Sequence, residues 1–361
     1  MHPDNDRRWL STLLLACLVA GAVFAVVHQS GSHHRPSPPA PTPSPPPPAV
    51  TISKIGHPLL NQTADWELFG LAADSLVAIQ LNVGQITRTI LPPQEGSGPV
   101  SFIVGPHQAI IRPLDNVPGY VVPDGGPART LTGILARGDW LLPGPSPTEE
   151  WVVSGTGSTL SLLGRGSQAT GVHVTLPRHW AEQSAMADGR GELLLFDDHG
   201  QQFDAGPGWL RRVGALLVAI GPTRWLGLGC HHGHCRNVVI DIATGARRIL
   251  PGPPVSIVTW PWPSEPGVVA PDGSTAAVIE TRGNGAAQLD LINLSSGVST
   301  PISAPVTPAI SSQMLAWSPD SQWLFVADAN GKLLAVSART RQVQSLGVRL
   351  PPISQLAVRG G

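Results

Sequence analysis

A short turn that opens an apolar strand recurs along this chain, and it constrains the fold more than any other feature. Ser318-Pro319-Asp320-Ser321-Gln322-Trp323 leads into Leu324-Phe325-Val326-Ala327, and Ala270-Pro271-Asp272-Gly273-Ser274-Thr275 leads into Ala276-Ala277-Val278-Ile279. Ser146-Pro147-Thr148-Glu149-Glu150-Trp151 leads into Val152-Val153. A small unit repeated in this way cannot bury its apolar face alone, so neighbouring units must stack and share a core. Trp151 and Trp323, each next to the first residues of a strand, are expected in that core.

Residues 51–361 show no sustained helical period. Short apolar or alternating runs dominate, among them Leu76-Val77-Ala78-Ile79, Leu193-Leu194-Leu195-Phe196 and Leu289-Asp290-Leu291-Ile292, each bounded by turn residues as strands are. The chain holds 40 Gly and 38 Pro with only 13% charged residues, which suits many strands joined by tight turns. Asn330-Gly331 predicts a two-residue hairpin, whose central positions need positive φ. Ile240-Asp241-Ile242-Ala243-Thr244-Gly245 and Ile292-Asn293-Leu294-Ser295-Ser296-Gly297 are one turn written twice. One unit therefore reads as four antiparallel strands, the composition of a propeller blade. Fourth strands are expected to end near Leu91, Leu131, Leu176, Val213, Leu250, Ile302 and Leu346. The predicted fold is all-β, a β-propeller of seven blades, with six or eight as alternatives. Ile353–Val358 is one strand too many, and pairing it into the first blade would close the ring and remove an open edge.

The Ser-Pro-Asp-x-x-Trp turn and its apolar strand resemble the WD40-like or TolB-type repeats of bacterial envelope β-propellers. The strong matches cover residues 220–347, and a fragment covers 146–154. The resemblance implies a propeller that binds or scaffolds outside the cytoplasm and is silent about activity. The chain has no Trp-Asp dipeptide of the WD40 kind and no N-terminal domain of the TolB type.

Residues 1–8 are expected to be a short cytoplasmic N-terminus. Trp9–Val27 is 19 residues without a charge. As a helix it would span roughly 28 Å, close to a bilayer core. Arg7 and Arg8 precede it and keep the N-terminus cytoplasmic. Residues 9–28 are thus predicted to be an uncleaved signal anchor embedded in the lipid bilayer. Cleavage at Ala20-Gly21-Ala22 would leave Val23–Val27 on the mature end, and Leu14-Leu15-Ala16-Cys17 is a weak lipoprotein box. Residues 29–50 form a Pro-rich linker, with nine prolines between 36 and 48. Such a tract adopts polyproline II and is expected to be a stiff spacer rather than a ligand. Residues 51–361 are then the propeller domain, held outside the membrane. The formal charge of -1 leaves no basic excess to hold a phosphate backbone, so nucleic acid is not an expected partner.

Cys230-His231-His232-Gly233-His234-Cys235 is the densest chemical cluster. It should be a hairpin tip, with the two cysteines facing one another across a four-residue loop at disulfide distance. Oxidation is allowed outside the cytoplasm. The alternative is a transition-metal site built from the two thiolates with His231, His232 or His234. Adjacent residues on so short a loop converge poorly on a tetrahedral ion. Trp260-Pro261-Trp262-Pro263 lies in a long connection after Leu250. It reads as a Trp pair wedged between blades or, alternatively, as an aromatic recognition loop with Trp260 and Trp262 exposed. Asp197-Asp198-His199-Gly200 reads as a hairpin turn, since the later ligands of a calcium loop are missing.

There is no G-x-S-x-G elbow, H-E-x-x-H, P-loop or dinucleotide fingerprint, and no cofactor is expected. The leading expectation is a non-catalytic propeller that binds a protein or glycan of the cell envelope. Two alternatives stand beside it. One is a propeller hydrolase or lyase acting on envelope glycans or lactones. The other is an envelope metal-binding protein working through residues 230–235.

Overall fold

In the computed structural model the described residues are 50–92, 100–113, 119–130, 140–146, 149–153, 159–164, 168–176, 180–187, 190–197, 201–255, 266–281, 287–304, 306, 312–328 and 330–360. They form strands, with short 3-10 segments at Leu59–Asn61 and Ser312–Met314. The first strands are β1 (Val50–Lys54), β2 (Glu67–Ala72), β3 (Ser75–Gln80) and β4 (Gln85–Ile90). Next come β5 (Val100–Val104), β6 (Gln108–Pro113), β7 (Tyr120–Pro123) and β8 (Arg129–Thr130). They are followed by β9 (Trp140–Pro143), β10 (Glu150–Val153), β11 (Thr159–Gly164) and β12 (Gln168–Thr175). Then come β13 (Trp180–Ala187), β14 (Leu193–Asp197), β15 (Gln202–Gly206) and β16 (Trp209–Arg212). The next set is β17 (Leu216–Ile220), β18 (Arg224–His231), β19 (His234–Asp241) and β20 (Arg247–Ile249). After it come β21 (Gly267–Val269), β22 (Thr275–Thr281), β23 (Ala287–Asn293) and β24 (Ser299–Ile302). The last strands are β25 (Leu315–Trp317), β26 (Trp323–Ala327), β27 (Lys332–Ser337), β28 (Val343–Arg349) and β29 (Ile353–Arg359).

Apart from β1 and β29, each set pairs antiparallel in chain order. The sets from β5, β9, β13 and β25 are separate four-stranded sheets, and β17–β24 form one eight-stranded sheet. That larger sheet is two units joined by parallel pairing of their first strands, Ala219 opposite Gly267 and Ile220 opposite Val268. The first sheet runs β1-β4-β3-β2-β29. The last strand of the chain thus completes the first sheet, with Leu68 opposite Val358 and Gly70 opposite Leu356. This is the closure expected for Ile353–Val358. β1 adds a fifth strand at the outer edge and exposes most of its side chains, so main-chain pairing holds it. The expected ends of the fourth strands fall within one residue of those found, except that β28 runs on from Leu346 to Arg349.

The core lies between sheets. Phe325, Leu333 and Ala335 pack against Leu68, Val77 and Ile79. Trp151 and Leu160 pack against Leu193 and Leu195, and Val239 packs against Ala276 and Ile292. Each large side chain fully buried here, Phe325 and Trp151 among them, contributes about 1.5–3 kcal/mol of transfer free energy.

Antiparallel order puts the first-to-second and third-to-fourth connections of a unit at one end and the remaining connections at the other. The first-to-second turns touch their neighbours. Thr223 Oγ1 donates to Pro271 O at 3.2 Å, Arg224 Nη1 to Gly273 O at 3.1 Å, and Asp272 N to Ser321 Oγ at 3.0 Å. This is the proline-turn end, and the other is the hairpin end. Val50 lies opposite Thr89, so the chain comes into the first sheet at the hairpin end.

The structure revises several local expectations. Ser318 N donates to Trp323 O and Ala270 N to Thr275 O, both at 2.8 Å, but the third turn is closed by Gly144 N to Glu149 O at 2.9 Å. The hexapeptide at Ser146 is therefore offset by two residues. Trp151 takes the place of Phe325, not of Trp323, which is why Trp151 is fully buried. Trp323 is only half-buried, at the margin of the cluster it was expected to enter. Asn330-Gly331 is not a two-residue turn. Asp328 N pairs with Lys332 O at 2.9 Å, so three residues intervene. The Asp328 carboxylate caps them by accepting from Asn330 N and Lys332 N, both at 2.8 Å. Gly331 has a positive φ, +77°, while Asn330 does not, and a Cβ at Gly331 would lie 1.9 Å from Leu350 O. β14 and β15 do form a hairpin, with Phe196 opposite Gln202, although residues 198–200 lie outside the described residues. So do the predicted anchor at 9–28 and all of the linker but Val50. Among the described residues, no helix is long and apolar enough to cross a membrane.

Candidate functional site

β18 and β19 are longer than the sheet around them. β17 pairs with β18 only as far as Leu228, and β20 pairs with β19 only over Val238–Ile240. From Gly229 to Arg236 the two strands have only each other, and a bare two-stranded ribbon is marginally stable in water. A disulfide between Cys230 and Cys235 clamps it, as the sequence led us to expect. The pairing then runs one rung further than expected, to His231 opposite His234. The loop is thus the two residues His232-Gly233, with φ of +48° and +79°. This is the double positive-φ turn predicted for Asn330-Gly331, found instead where its strand twist suits a free ribbon. Alternation along the strands sets His231, His234 and Arg236 on one face and the disulfide on the other. All three histidines and Arg236 are exposed, and the His232 ring stands edge-on to that of His231 at 4.0 Å. No carboxylate lies between Trp225 and Ile240. The disulfide removes both thiolates from the expected metal set and leaves the imidazoles. Among the described residues, no three His, Cys, Asp or Glu side chains are grouped to hold a metal ion.

The chain after β20 starts from the same unit. Asn237, buried in β19, organises it: its Nδ2 donates to Pro253 O at 2.9 Å and its Oδ1 accepts from Val255 N at 3.0 Å. An open cleft of about 520 Å³ follows, lined by Pro251, Pro253, Pro254, Asp290 and the exposed Val298. Trp260 and Trp262 belong to this connection and lie outside the described residues. Asn237 was missed by sequence reading, although a lone Asn before Val238-Val239-Ile240 is a usable signal, since a buried amide must find partners.

The opposite end holds a cluster of another kind. Arg359, at the end of the closing strand, donates through Nε to Glu67 Oε2 at 2.8 Å and through Nη1 to Gly105 O at 2.7 Å. It also pairs with Asp124 at 2.9 Å and lies over the Phe69 ring at 4.9 Å. Burial works against its charge, but the hydrogen bonds it donates to Glu67 and Asp124 outweigh that and hold its pKa above the ordinary value. A cleft of about 600 Å³, also lined by Asp65, Gln80 and His107, opens beside it. The ends of β2 and β29 and the two turns of the next sheet meet at this one guanidinium, which makes it a latch on the closure. Nearby in kind is Glu150, at the start of β10, whose carboxyl burial pushes up. In the sequences of the first strands, β5, β9, β13, β17, β21, β25 and β29, the only charged residues are Glu182 and Arg359.

Comparison with solved structures bears on the architecture. A candidate 6-phosphogluconolactonase of Bacteroides fragilis superposes with a TM-score of 0.50 over 84% of this chain and 99% of its own, at 10% identity. The fold is a β-propeller. A puromycin-hydrolysing peptidase of Mycobacterium tuberculosis superposes with the same TM-score over 82% of this chain and 56% of its own, at 14% identity. TolB of Acinetobacter baumannii aligns over 81% of this chain and 82% of its own at 14% identity, with a TM-score of 0.41. At these identities the likeness is one of fold. No protein family and no curated protein matches the sequence.

Proposed function

We propose that this protein is a membrane-anchored, extracytoplasmic β-propeller of the TolB type. In this reading it has seven four-stranded blades and acts as a non-catalytic module that binds or scaffolds a protein or glycan of the cell envelope. The blade number is supported by apolar clusters that join consecutive units around the whole ring, including the one between β26–β28 and β2–β3. The anchor rests on the apolar run from Trp9 to Val27 and the proline stalk after it. The observation that carries the binding role is the ribbon from Gly229 to Arg236. Among the described residues it pairs with no neighbouring blade, yet it is covalently stiffened and exposes four cationic or titratable side chains. A surface that contributes nothing to the core and is still held rigid is what recognition requires.

The test is photo-crosslinking in the native host, at native expression, with a photoreactive residue in place of His232 or, at the opposite end, of Asp272. A defined adduct from position 232 and none from 272 is the expected result. No adduct from 232, or equal adducts from both, would overturn the reading.

A hydrolase or lyase acting on envelope glycans or lactones is the second reading. Glu150 favours it, because a part-buried carboxyl whose pKa burial raises is better suited to carry a proton than an ordinary surface carboxylate. The folds of the lactonase-like protein and of the peptidase are compatible with it. Turnover of a lactone or glycan that Glu150→Gln abolishes would put this reading first.

A further inference from the structure

We propose that the ribbon is a chelating site for one divalent late transition-metal ion, held by the imidazoles of His231 and His234. The two residues are direct cross-strand partners next to the turn. Opposed side chains on a strand pair leave one face together, with Cβ atoms about 4.5–5.5 Å apart. Imidazole nitrogens bind such ions at about 2.0–2.1 Å, so two rings from that spacing can close on a single ion. This geometry exists only because the loop has two residues. A four-residue loop would have left the histidines on flexible backbone, each free to face elsewhere.

The rungs on either side make the pair rigid. The His232-Gly233 turn fixes the register beyond it, and the Cys230–Cys235 bond prevents the strands from splaying behind it. The His232 ring, edge-on at 4.0 Å, restricts rotation of His231. Little ordering remains for the ion to impose, which favours affinity. The donor set also selects the metal. Two neutral nitrogens with no carboxylate in the ribbon suit Cu²⁺, Ni²⁺ and Zn²⁺, with Cu²⁺ held most tightly, and not Ca²⁺ or Mg²⁺, which take oxygen. The oxidised cysteines donate nothing. Arg236 shares the face with the histidines and opposes a cation, so removing its charge should tighten binding. Because the tip is exposed, the remaining coordination positions face solvent and are open to water or to a partner's side chain.

Calorimetric titration of the full-length protein, purified with the disulfide intact, tests this with CuCl₂, NiCl₂, ZnCl₂ and, as a control, MgCl₂. The chain has 12 histidines, so the variants carry the argument. His231→Gln or His234→Gln should each weaken Ni²⁺ binding at least tenfold, and His173→Gln should leave it unchanged. Arg236→Gln should tighten it. The double variant Cys230→Ser, Cys235→Ser should weaken it several-fold, with far-ultraviolet dichroism unchanged because the ribbon extends beyond the pairing with β17 and β20. Wild-type affinity in both His231→Gln and His234→Gln, or Mg²⁺ binding as tight as Ni²⁺, would overturn the proposal. So would reduced wild-type protein whose gain in affinity survives both histidine substitutions, since the thiolates would then be the ligands.

Discussion

The two ends of the propeller are made of the same hairpins and held together by opposite means. At the proline-turn end, successive turns lean on one another, Thr223 and Arg224 on Pro271 and Gly273, and Asp272 on Ser321. Asp320 accepts from Ser318 Oγ at 2.6 Å and from Gln322 N at 3.0 Å, while Ser321 Oγ reaches across to accept from Asp272 N. Arg359 gathers Glu67, Asp124 and Gly105 into one latch. At the hairpin end, the longest hairpin leaves its neighbours and is held by a single covalent bond. The repeated residues satisfy one another and have little left to offer a ligand. The unrepeated ones are turned outward and kept rigid without help from the blades.

That contrast is most directly broken at Trp151. It is fully buried between two sheets, and its indole donates to Gly191 O in the next unit at 2.8 Å. Trp151→Ala removes that packing and leaves the carbonyl without its partner. The expected cost is about 3–5 kcal/mol, read from the midpoint of urea unfolding. A loss below about 1 kcal/mol would mean that the repeat residues do not hold the blades together.

The second break is made at the other end. Replacing both Cys230 and Cys235 with Ser frees a six-residue loop, for which chain entropy assigns at most about 2 kcal/mol. The ribbon opens without exposing core, so the slope of the urea transition should not change. Amide exchange from Gly229 to Arg236 should accelerate while β22 and β26 keep their protection. Loss of protection in those strands would show that the two ends are coupled after all.

The architecture was legible in the sequence because it rests on local chemistry repeated many times. Turn residues and apolar runs placed the strands, and the surplus strand at Ile353 announced the closure. What stayed hidden depends on register or on distance. The Ser146 hexapeptide matched the Ser318 one in letters but sits two residues out of phase, and a shift of two preserves the face of every side chain, so no pattern reveals it. The clamped ribbon was seen, but its last rung was not, because pairing beyond a disulfide depends on the turn accepting positive φ at His232, where a histidine gives little signal. The latch joins Glu67 to Arg359 across 292 residues, and no local rule reaches that far.

A third copy of the Thr-Gly turn was hidden for a different reason, and it gives the smallest and sharpest prediction. In the first two copies Asp241 and Asn293 cap the turn, accepting from Thr244 N at 3.0 Å and Ser295 N at 2.9 Å, and Gly245 and Gly297 take φ of +70° and +75°. Ser337 repeats this, with its hydroxyl accepting from Thr340 N at 3.2 Å and its carbonyl from Arg341 N at 2.9 Å. Arg341 therefore stands at the glycine position, with φ of +62°. A side chain there costs about 1–2 kcal/mol. Burial also holds its pKa below the ordinary value, and its Nη1 has no hydrogen-bond partner. Arg341→Gly relieves the strain and removes the orphaned donor, while the added freedom of the unfolded chain returns about 0.4–1 kcal/mol. The variant should be about 1 kcal/mol more stable by urea unfolding. A gain would mark Arg341 as a residue the fold tolerates at the otherwise self-satisfied end. A loss would mean that the guanidinium contributes packing that outweighs its strained backbone, and that the repeat has absorbed the exception.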